Sequence, residues 1–148
     1  FSDAQVQTNY DYYEPLTTHD SSLSPAIYAI AAARLGKYDG AIEFFKRTIN
    51  TDLQNMQGNT ADGLHLAAMG GSWITFAWGM MGLTVTDDTA ELKPYLPTGW
   101  TGCRFKLSYR GTIYTIDVTA TALTVTGAIS DEVTVNQEQG TITINAMK

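Results

Sequence analysis

At 148 residues, 44% hydrophobic and with a formal net charge of −6, the chain has room for one ordinary domain or parts of two smaller ones. Its sparse, net acidic charge argues against nucleic acid as the main partner, because a backbone binder needs a basic face; no apolar run is long enough to span a membrane. The single cysteine, Cys103, excludes an internal disulfide and fits a reducing, cytoplasmic setting. No signal, lipidation or basic targeting segment is recognisable, and a chain whose first residue is Phe1 reads as a piece of something longer.

Residues 1–20 are polar and tyrosine-rich, are interrupted by Pro15, and are expected to be mostly loop. Ser24 and Pro25 predict a helix start, the serine as N-cap and the proline at the first helical position. Ile27, Ile30, Ala31 and Arg34 follow at helical spacing, and Gly36 closes the helix as a left-handed cap. Asp39 is expected to cap a second helix that buries Ile42, Phe45, Ile49 and Leu53 and turns Glu43, Lys46 and Arg47 to solvent. The short link between the two makes them antiparallel. Residues 53–70 read as loop. From Ser72 to about Met81 the chain is apolar almost all round, with Trp73, Ile74, Phe76, Trp78 and Met80. A helix without a polar face needs neighbours, more than two amphipathic helices supply.

Near residue 84 the composition shifts to threonine, valine and isoleucine alternating with polar residues. Pro94, Pro97 and Gly99 make residues 94–100 a rigid connection with Trp100 as its anchor. Cys103, Phe105, Leu107 and Tyr109 then point one way, and Arg104, Lys106, Ser108 and Arg110 the other. Gly111 marks a turn, and Tyr114, Ile116 and Val118 return, which predicts a hairpin. Shorter strands at Leu123–Thr126, Val133–Val135 and Thr141–Asn145, separated by Gly127, Asp131 and Gly140, point to an antiparallel sandwich or a piece of a jelly roll.

Two short motifs concentrate the chemistry: His19-Asp20-Ser21-Ser22-Leu23-Ser24, and Gly63-Leu64-His65 running to Gly70-Gly71-Ser72-Trp73. Each sets a histidine, with hydroxyls or glycines, ahead of a helix. Helix N-termini carry unpaired N–H groups and the positive end of the dipole. Two such ends with two imidazoles would make a small oxyanion pocket of the kind phosphate needs. Simpler readings stand beside this one. Ser21 and Ser22 suit a loop held by serine and aspartate turns, which local chemistry favours, and His19 suits an ordinary hydrogen-bonded histidine. Gly70 and Gly71 would expose amides at a helix start, or equally allow close helix packing. His65 lacks an obvious core role. The five glutamates show no acid/base spacing, and one cysteine with two histidines gives no zinc pattern.

The run Asn9-Tyr10-Asp11-Tyr12-Tyr13-Glu14-Pro15 followed by His19-Asp20-Ser21-Ser22-Leu23-Ser24-Pro25 resembles glycoside hydrolase family 65, which includes maltose, trehalose and kojibiose phosphorylases. Asp62-Gly63-Leu64-His65 through Met69-Gly70-Gly71-Ser72-Trp73 resembles the family's next signature, in order and at a fitting distance. Leu96-Pro97 with Trp100, and Tyr109-Arg110-Gly111, resemble its junction and first C-terminal hairpin. Tyr28 departs from the family pattern, which often has a histidine there.

The resemblance implies an α+β chain. Residues 1–83 would be the last helices of an (α/α)6 catalytic barrel, and residues 84–148 a small antiparallel β-sandwich domain at the C-terminus. It implies a C-terminal portion of an inverting disaccharide phosphorylase, which transfers glucose from an α-linked glucoside to inorganic phosphate. Phosphate would be bound by His19, Ser21, Ser22, His65, Gly70 and Gly71. The general acid would lie upstream of Phe1, leaving no catalytic residue and no metal site in this chain, so the chain alone would be inactive. No cofactor is implied beyond phosphate as co-substrate. The implied partners are the α-linked disaccharide, phosphate, the missing N-terminal part of the barrel and further copies, as a homodimer or larger. A family hydrolase and a non-catalytic sugar-binding or interaction module are the competing expectations.

Overall fold

The computed structural model describes residues 1–127, 133–138 and 140–146. They form two compact units, Phe1–Met80 and Met81–Lys148. The first is helical, with α1 (Asp3–Tyr13), α2 (Ser24–Arg34), α3 (Tyr38–Leu53) and α4 (Leu66–Ile74), the last continuing into a π-helical turn, Thr75–Met80. The second is all β: β1 (Thr84–Val85), β2 (Thr89–Leu92), β3 (Gly102–Tyr109), β4 (Thr112–Thr119), β5 (Leu123–Thr126), β6 (Val133–Glu138) and β7 (Thr141–Ala146).

The first twenty residues are mainly helix, contrary to the loop expected. No apolar stripe marks α1, and none of its residues is buried. A capping box starts it instead: Gln5 N–H donates to Ser2 Oγ at 3.3 Å, and Ser2 N–H donates to Gln5 Oε1 at 2.9 Å. Ion pairs from Arg34 to Asp3 (2.8 Å) and from Lys37 to Asp11 (3.3 Å) tie it to the end of α2 and the link after it.

The start of α2 also differs from expectation. Leu23 is the N-cap and Ser24 the first helical residue, because the Ser24 hydroxyl is engaged by His19 rather than by the helix amides. Its C-terminus is as expected. Gly36 takes φ +71°, Gly36 N–H donates to Ala33 and Lys37 N–H to Ala32, a Schellman closure that a residue with a Cβ adopts only under strain. The side that α2 buries is Ala26, Ala29, Ala32 and Ala33, whereas Ile27 is exposed. Lys37, not Asp39, is the N-cap of α3, and Asp39 lies in its first turn. Its buried residues are Ala41, Thr48 and Thr51; Ile49 and Leu53, expected inside, face out. Small side chains explain both reversals, since alanine and threonine let α2 and α3 approach more closely than isoleucine allows.

Helix α4 begins at Leu66, six residues ahead of the expected Ser72, so Gly70 and Gly71 lie inside it. A Cβ on Gly71 would stand 2.9 Å from Ala26 Cβ and 3.6 Å from Thr48 Cγ2, whereas one on Gly70 would meet nothing within 4 Å. Thr75 Oγ1, at the start of the π turn, donates to the Ala26 carbonyl of α2 at 3.2 Å in a buried contact. The π turn that follows is closed by i→i+5 hydrogen bonds. Trp73 in α4 and Trp78 in the π turn are both 54% exposed.

The β unit comprises two antiparallel sheets, ordered β1-β2-β7-β6 and β3-β4-β5. The predicted hairpin is present: Tyr109 pairs with Thr112 around Arg110 and Gly111, both at positive φ, which is the backbone of a tight two-residue turn. Cys103, Phe105, Leu107 and Tyr109 alternate with exposed Arg104, Lys106 and Ser108 as expected. Tyr114, Ile116, Val118 and Leu123 in one sheet, and Ala90, Leu92, Ile142 and Ile144 in the other, are buried. Each large side chain among them stabilises the unit by about 1.5–3 kcal/mol. Trp100, expected to anchor the preceding connection, is 40% exposed and is held instead by a turn in which its N–H donates to the Pro97 carbonyl. The turn expected at Asp131 lies outside the described residues.

Candidate functional site

The residues singled out in the sequence sit in two places on the helical unit, each pinned by α3. Residues 17–23 form the loop between the α1 region and α2. Within it His19 has φ +56°, a left-handed conformation uncommon for a residue with a side chain. Two contacts hold it there. Arg47 of α3 donates to the His19 carbonyl at 2.8 Å, and His19 Nδ1 shares a hydrogen bond with Ser24 Oγ, also at 2.8 Å. The imidazole meets Tyr28 edge-on at 4.7 Å and Phe44 at 4.9 Å between ring centroids. It is 8% exposed, and its Nε2 is buried without a hydrogen-bond partner.

Burial, reinforced by the nearby Arg47 charge, lowers the His19 pKa from its ordinary value. At neutral pH the ring is therefore uncharged, not the cationic donor that a surface histidine becomes. Ser21 and Ser22 lie next to it on the same loop. Leu23 N–H donates to Ser21 Oγ at 3.3 Å and Ser24 N–H to the Ser21 carbonyl at 3.2 Å, so Ser21 shapes the entry to α2. Pro25, at the second helical position, has no N–H to offer. The start of α2 is thus poorer in free amides than its motif promises, and its donors for an anion are chiefly hydroxyls.

His65 is the N-cap residue of α4. Asp52, at the end of α3, holds it twice: Asp52 Oδ1 lies 2.6 Å from His65 Nδ1, and His65 N–H donates to Asp52 Oδ2 at 2.8 Å. Thr60 Oγ1 donates to the same carboxylate at 3.4 Å. These hydrogen bonds, the one from the imidazole foremost, hold the Asp52 carboxyl below its ordinary pKa, so it is ionised at neutral pH. An ionised carboxylate only accepts. The proton in that 2.6 Å contact therefore belongs to Nδ1. Asp52 also lines a groove of about 320 Å³ between α3 and α4, with Thr48, Ile49, Leu53, Ala68 and Met69.

Gly70 and Gly71 do not expose amides at a helix start. They lie in the interior of α4, and Gly71 serves the close packing against Ala26. The structure also brings forward residues outside the set of candidate site residues. Arg47 was expected on the solvent face, yet it bonds the His19 carbonyl. Asp52 has no local motif and meets His65 across 13 positions. Tyr28 packs on His19 and its hydroxyl lies 2.6 Å from Thr17 Oγ1, a second brace on the same loop. Among the described residues, no cluster of three histidine, cysteine, aspartate or glutamate side chains is placed to hold a metal, and no helix is long and apolar enough to cross a membrane.

Residues 1–74 match the model of the glycosyl hydrolase family 65 central catalytic domain, and residues 83–144 that of the family 65 C-terminal domain. The chain belongs to glycosyl hydrolase family 65. Family 65 relatives include an alpha,alpha-trehalose phosphorylase of Geobacillus stearothermophilus, 39% identical over 88% of this chain and 17% of its own length. A maltose phosphorylase of Bacillus subtilis is 37% identical over 80% of this chain and 16% of its own length. A kojibiose phosphorylase of Thermoanaerobacter brockii is 36% identical over 84% and 16%. A solved structure described as a kojibiose phosphorylase from human microbiome superposes with a TM-score of 0.83 at 31% identity, over 91% of this chain and 20% of that one. The chain thus spans about one-sixth of the length of these curated relatives. The helices carry the catalytic-domain match and the small antiparallel sheets the C-terminal-domain match, as the α+β reading expects.

Proposed function

We propose that this chain contributes the phosphate-binding side of an inverting family 65 disaccharide phosphorylase, in which inorganic phosphate attacks the anomeric carbon of an α-linked glucoside. What carries the proposal is the grip of α3 on both motif loops, Arg47 on His19 and Asp52 on His65, in a segment whose relatives are trehalose, maltose and kojibiose phosphorylases. Ser21, Ser22 and His65 are the side chains offered to the oxyanion. His19 holds the serine loop, and its unpartnered Nε2 supports a ligand or a further barrel residue completing it, because an unsatisfied buried nitrogen costs about 1–3 kcal/mol. Gly70, exposed on α4, and Gly71 enter as a surface that lets neighbours come close.

Asp52 is committed to His65 and is not free to activate water; phosphate as the nucleophile is supported by the phosphorylase relatives of this segment. The general acid belongs to the part of the barrel outside this chain. The proposal extends to a cytoplasmic setting, in keeping with the free thiol of Cys103, to phosphate as co-substrate without a cofactor, and to assembly as a homodimer or larger.

The test is an assay of the full-length protein containing this chain on kojibiose, maltose and trehalose, with and without phosphate. Glucose 1-phosphate released only when phosphate is present is the expected result, with none from the 148-residue chain alone. Free glucose released at equal rate without phosphate would make the protein a hydrolase. Binding of oligosaccharide by the isolated residues 84–148, seen by calorimetry, would favour the sugar-binding module.

A further inference from the structure

The loop that carries Ser21 and Ser22 enters α2 through a backbone that costs free energy to hold. His19, two residues ahead of Ser21, has φ +56°, and a residue with a Cβ stays in the left-handed region only where its surroundings impose it. The direction of its carbonyl is set by its own ψ, and that carbonyl shares one plane with the N–H of Asp20. The group that grips the carbonyl therefore selects the backbone conformation. That group is the Arg47 guanidinium, whose Nη2 donates to it at 2.8 Å. Thr48 and Thr51 of the same helix are buried, which fixes the stretch of α3 from which Arg47 reaches. Among the described residues Arg47 makes no ion pair, so no carboxylate competes for its donors.

We propose that Arg47 is a positioning residue of the phosphate site, holding the His19–Asp20 peptide so that Ser21 and Ser22 present their hydroxyls to the oxyanion. This rests on the reading of Ser21 and Ser22 as phosphate ligands. Other contacts hold the loop on either side of that peptide. Before it, Thr17 Oγ1 lies 2.6 Å from the Tyr28 hydroxyl. After it, Ser21 accepts from Leu23 N–H through its hydroxyl and from Ser24 N–H through its carbonyl. The bond from Thr18 Oγ1 to Asp20 Oδ2, at 2.8 Å, is internal to the loop and moves with it. The His19 ring is held separately, by Ser24 Oγ and against Tyr28 and Phe44.

Loss of the guanidinium therefore releases the peptide plane rather than the ring or the helices. Residue 19 is then free to leave the left-handed region, and the chain direction into Asp20, Ser21 and Ser22 changes with it. A hydrogen bond from a charged donor is stronger than one from a neutral donor, and the planar guanidinium fixes orientation as well as position. Neither an apolar stem nor a shorter neutral amide replaces it. The effect falls on phosphate, because the serine hydroxyls are its ligands, and it is felt only while those hydroxyls are present.

The experiment is a double-mutant cycle in the full-length enzyme. Its members are Arg47→Met, a serine variant carrying both Ser21→Ala and Ser22→Ala, and the combination of the two, each checked for folding by circular dichroism. Phosphate KM is read at saturating disaccharide, and disaccharide KM at saturating phosphate. The expected result is a phosphate KM about tenfold higher in Arg47→Met, the scale of one charge-assisted hydrogen bond, with the disaccharide KM unmoved. Adding Arg47→Met to the serine variant should raise its phosphate KM no further. An unchanged phosphate KM in Arg47→Met, beside a raised one in the serine variant, overturns the role of Arg47 and leaves the serines as ligands. A rise from Arg47→Met that persists in full without the serine hydroxyls makes Arg47 act on phosphate independently of them and overturns positioning. Equal rises in both KM values reduce Arg47 to general support of the fold and overturn it too. An unchanged phosphate KM in the serine variant overturns the underlying reading and this inference with it. Where Arg47→Met yields no folded enzyme, Arg47→Gln, whose shorter chain ends in a neutral amide, takes its place in the cycle under the same criteria.

Discussion

In the β unit the buried side chains are large: Tyr114, Ile116, Leu92, Ile142 and Ile144 are fully enclosed. In the helical unit they are mostly small, with Ala26, Ala29, Ala32, Ala33, Ala41 and Gly71 inside, whereas Leu53, Leu66, Trp73 and Trp78 stand outside at half exposure or more. The first arrangement closes a core. The second closes only the contact between neighbouring helices and leaves its large apolar surface on the outer side, where a bigger assembly would cover it. Burial of a methyl-sized group stabilises by about 0.8 kcal/mol, against about 1.5–3 kcal/mol for isoleucine or leucine. The helical unit therefore depends on close approach, and the β unit on volume.

That contrast can be broken at defined positions. The largest effect is expected from Ile116→Ala, at the centre of the middle strand β4, which should lower the stability of the β unit by about 2–5 kcal/mol in urea denaturation. A loss well under 1 kcal/mol would mean that volume does not hold the β unit. Next, Gly71→Val forces side-chain atoms into the 2.9 Å approach to Ala26 Cβ and should cost about 1–3 kcal/mol in the same measurement. Its neighbour supplies the control. Gly70→Ala meets nothing within 4 Å and should gain up to about 1 kcal/mol from helix propensity. Equal effects at the two glycines would remove the argument for close approach.

The pH dependence of the helical unit sharpens the comparison further. His19 has its pKa lowered by burial and by Arg47, so the unfolded chain binds the proton more readily than the folded one. Above the unfolded value, about 6.5, neither state is protonated and stability is complete. As pH falls below it, stability is lost until the folded ring also protonates. Thermal melts of the helical unit between pH 7.5 and 5 should show this fall, and His19→Gln should reduce it. Last, Trp73→Ser with Trp78→Ser should change stability by no more than about 0.5 kcal/mol while reducing self-association of the isolated chain in light scattering. A parent chain that is already a clean monomer would show that its outer face needs no cover.

How far the fold can be read from the sequence differs between the units for the same physical reason. The β3–β4 hairpin is legible residue by residue, because a period of two with large buried side chains states both the element and its inner face. The short β1 and β2 carry too few residues for that pattern. The first helix was hidden because no apolar stripe marks it, although its signal stood in the pair Ser2 and Gln5. The inner face of α3 was misassigned because hydrophobicity pointed to Ile49 and Leu53, whereas α2 and α3 meet through alanine and threonine. Gly70 and Gly71 looked like the start of a helix, yet they lie inside α4, where one of them is the contact point.

The candidate site divides along the same line. By itself the sequence determined the two motifs, their order, the family they resemble and the residue types an oxyanion site requires. Local chemistry travels with local sequence. Only the tertiary structure decided which groups hold those motifs in place. Arg47 reaches His19 across 28 positions and Asp52 reaches His65 across 13, and neither partnership leaves a local pattern. It likewise decided that His19 is buried and neutral while His65 is set by a carboxylate. The protonation of an imidazole depends on its burial and on the charges beside it, and packing alone assigns both.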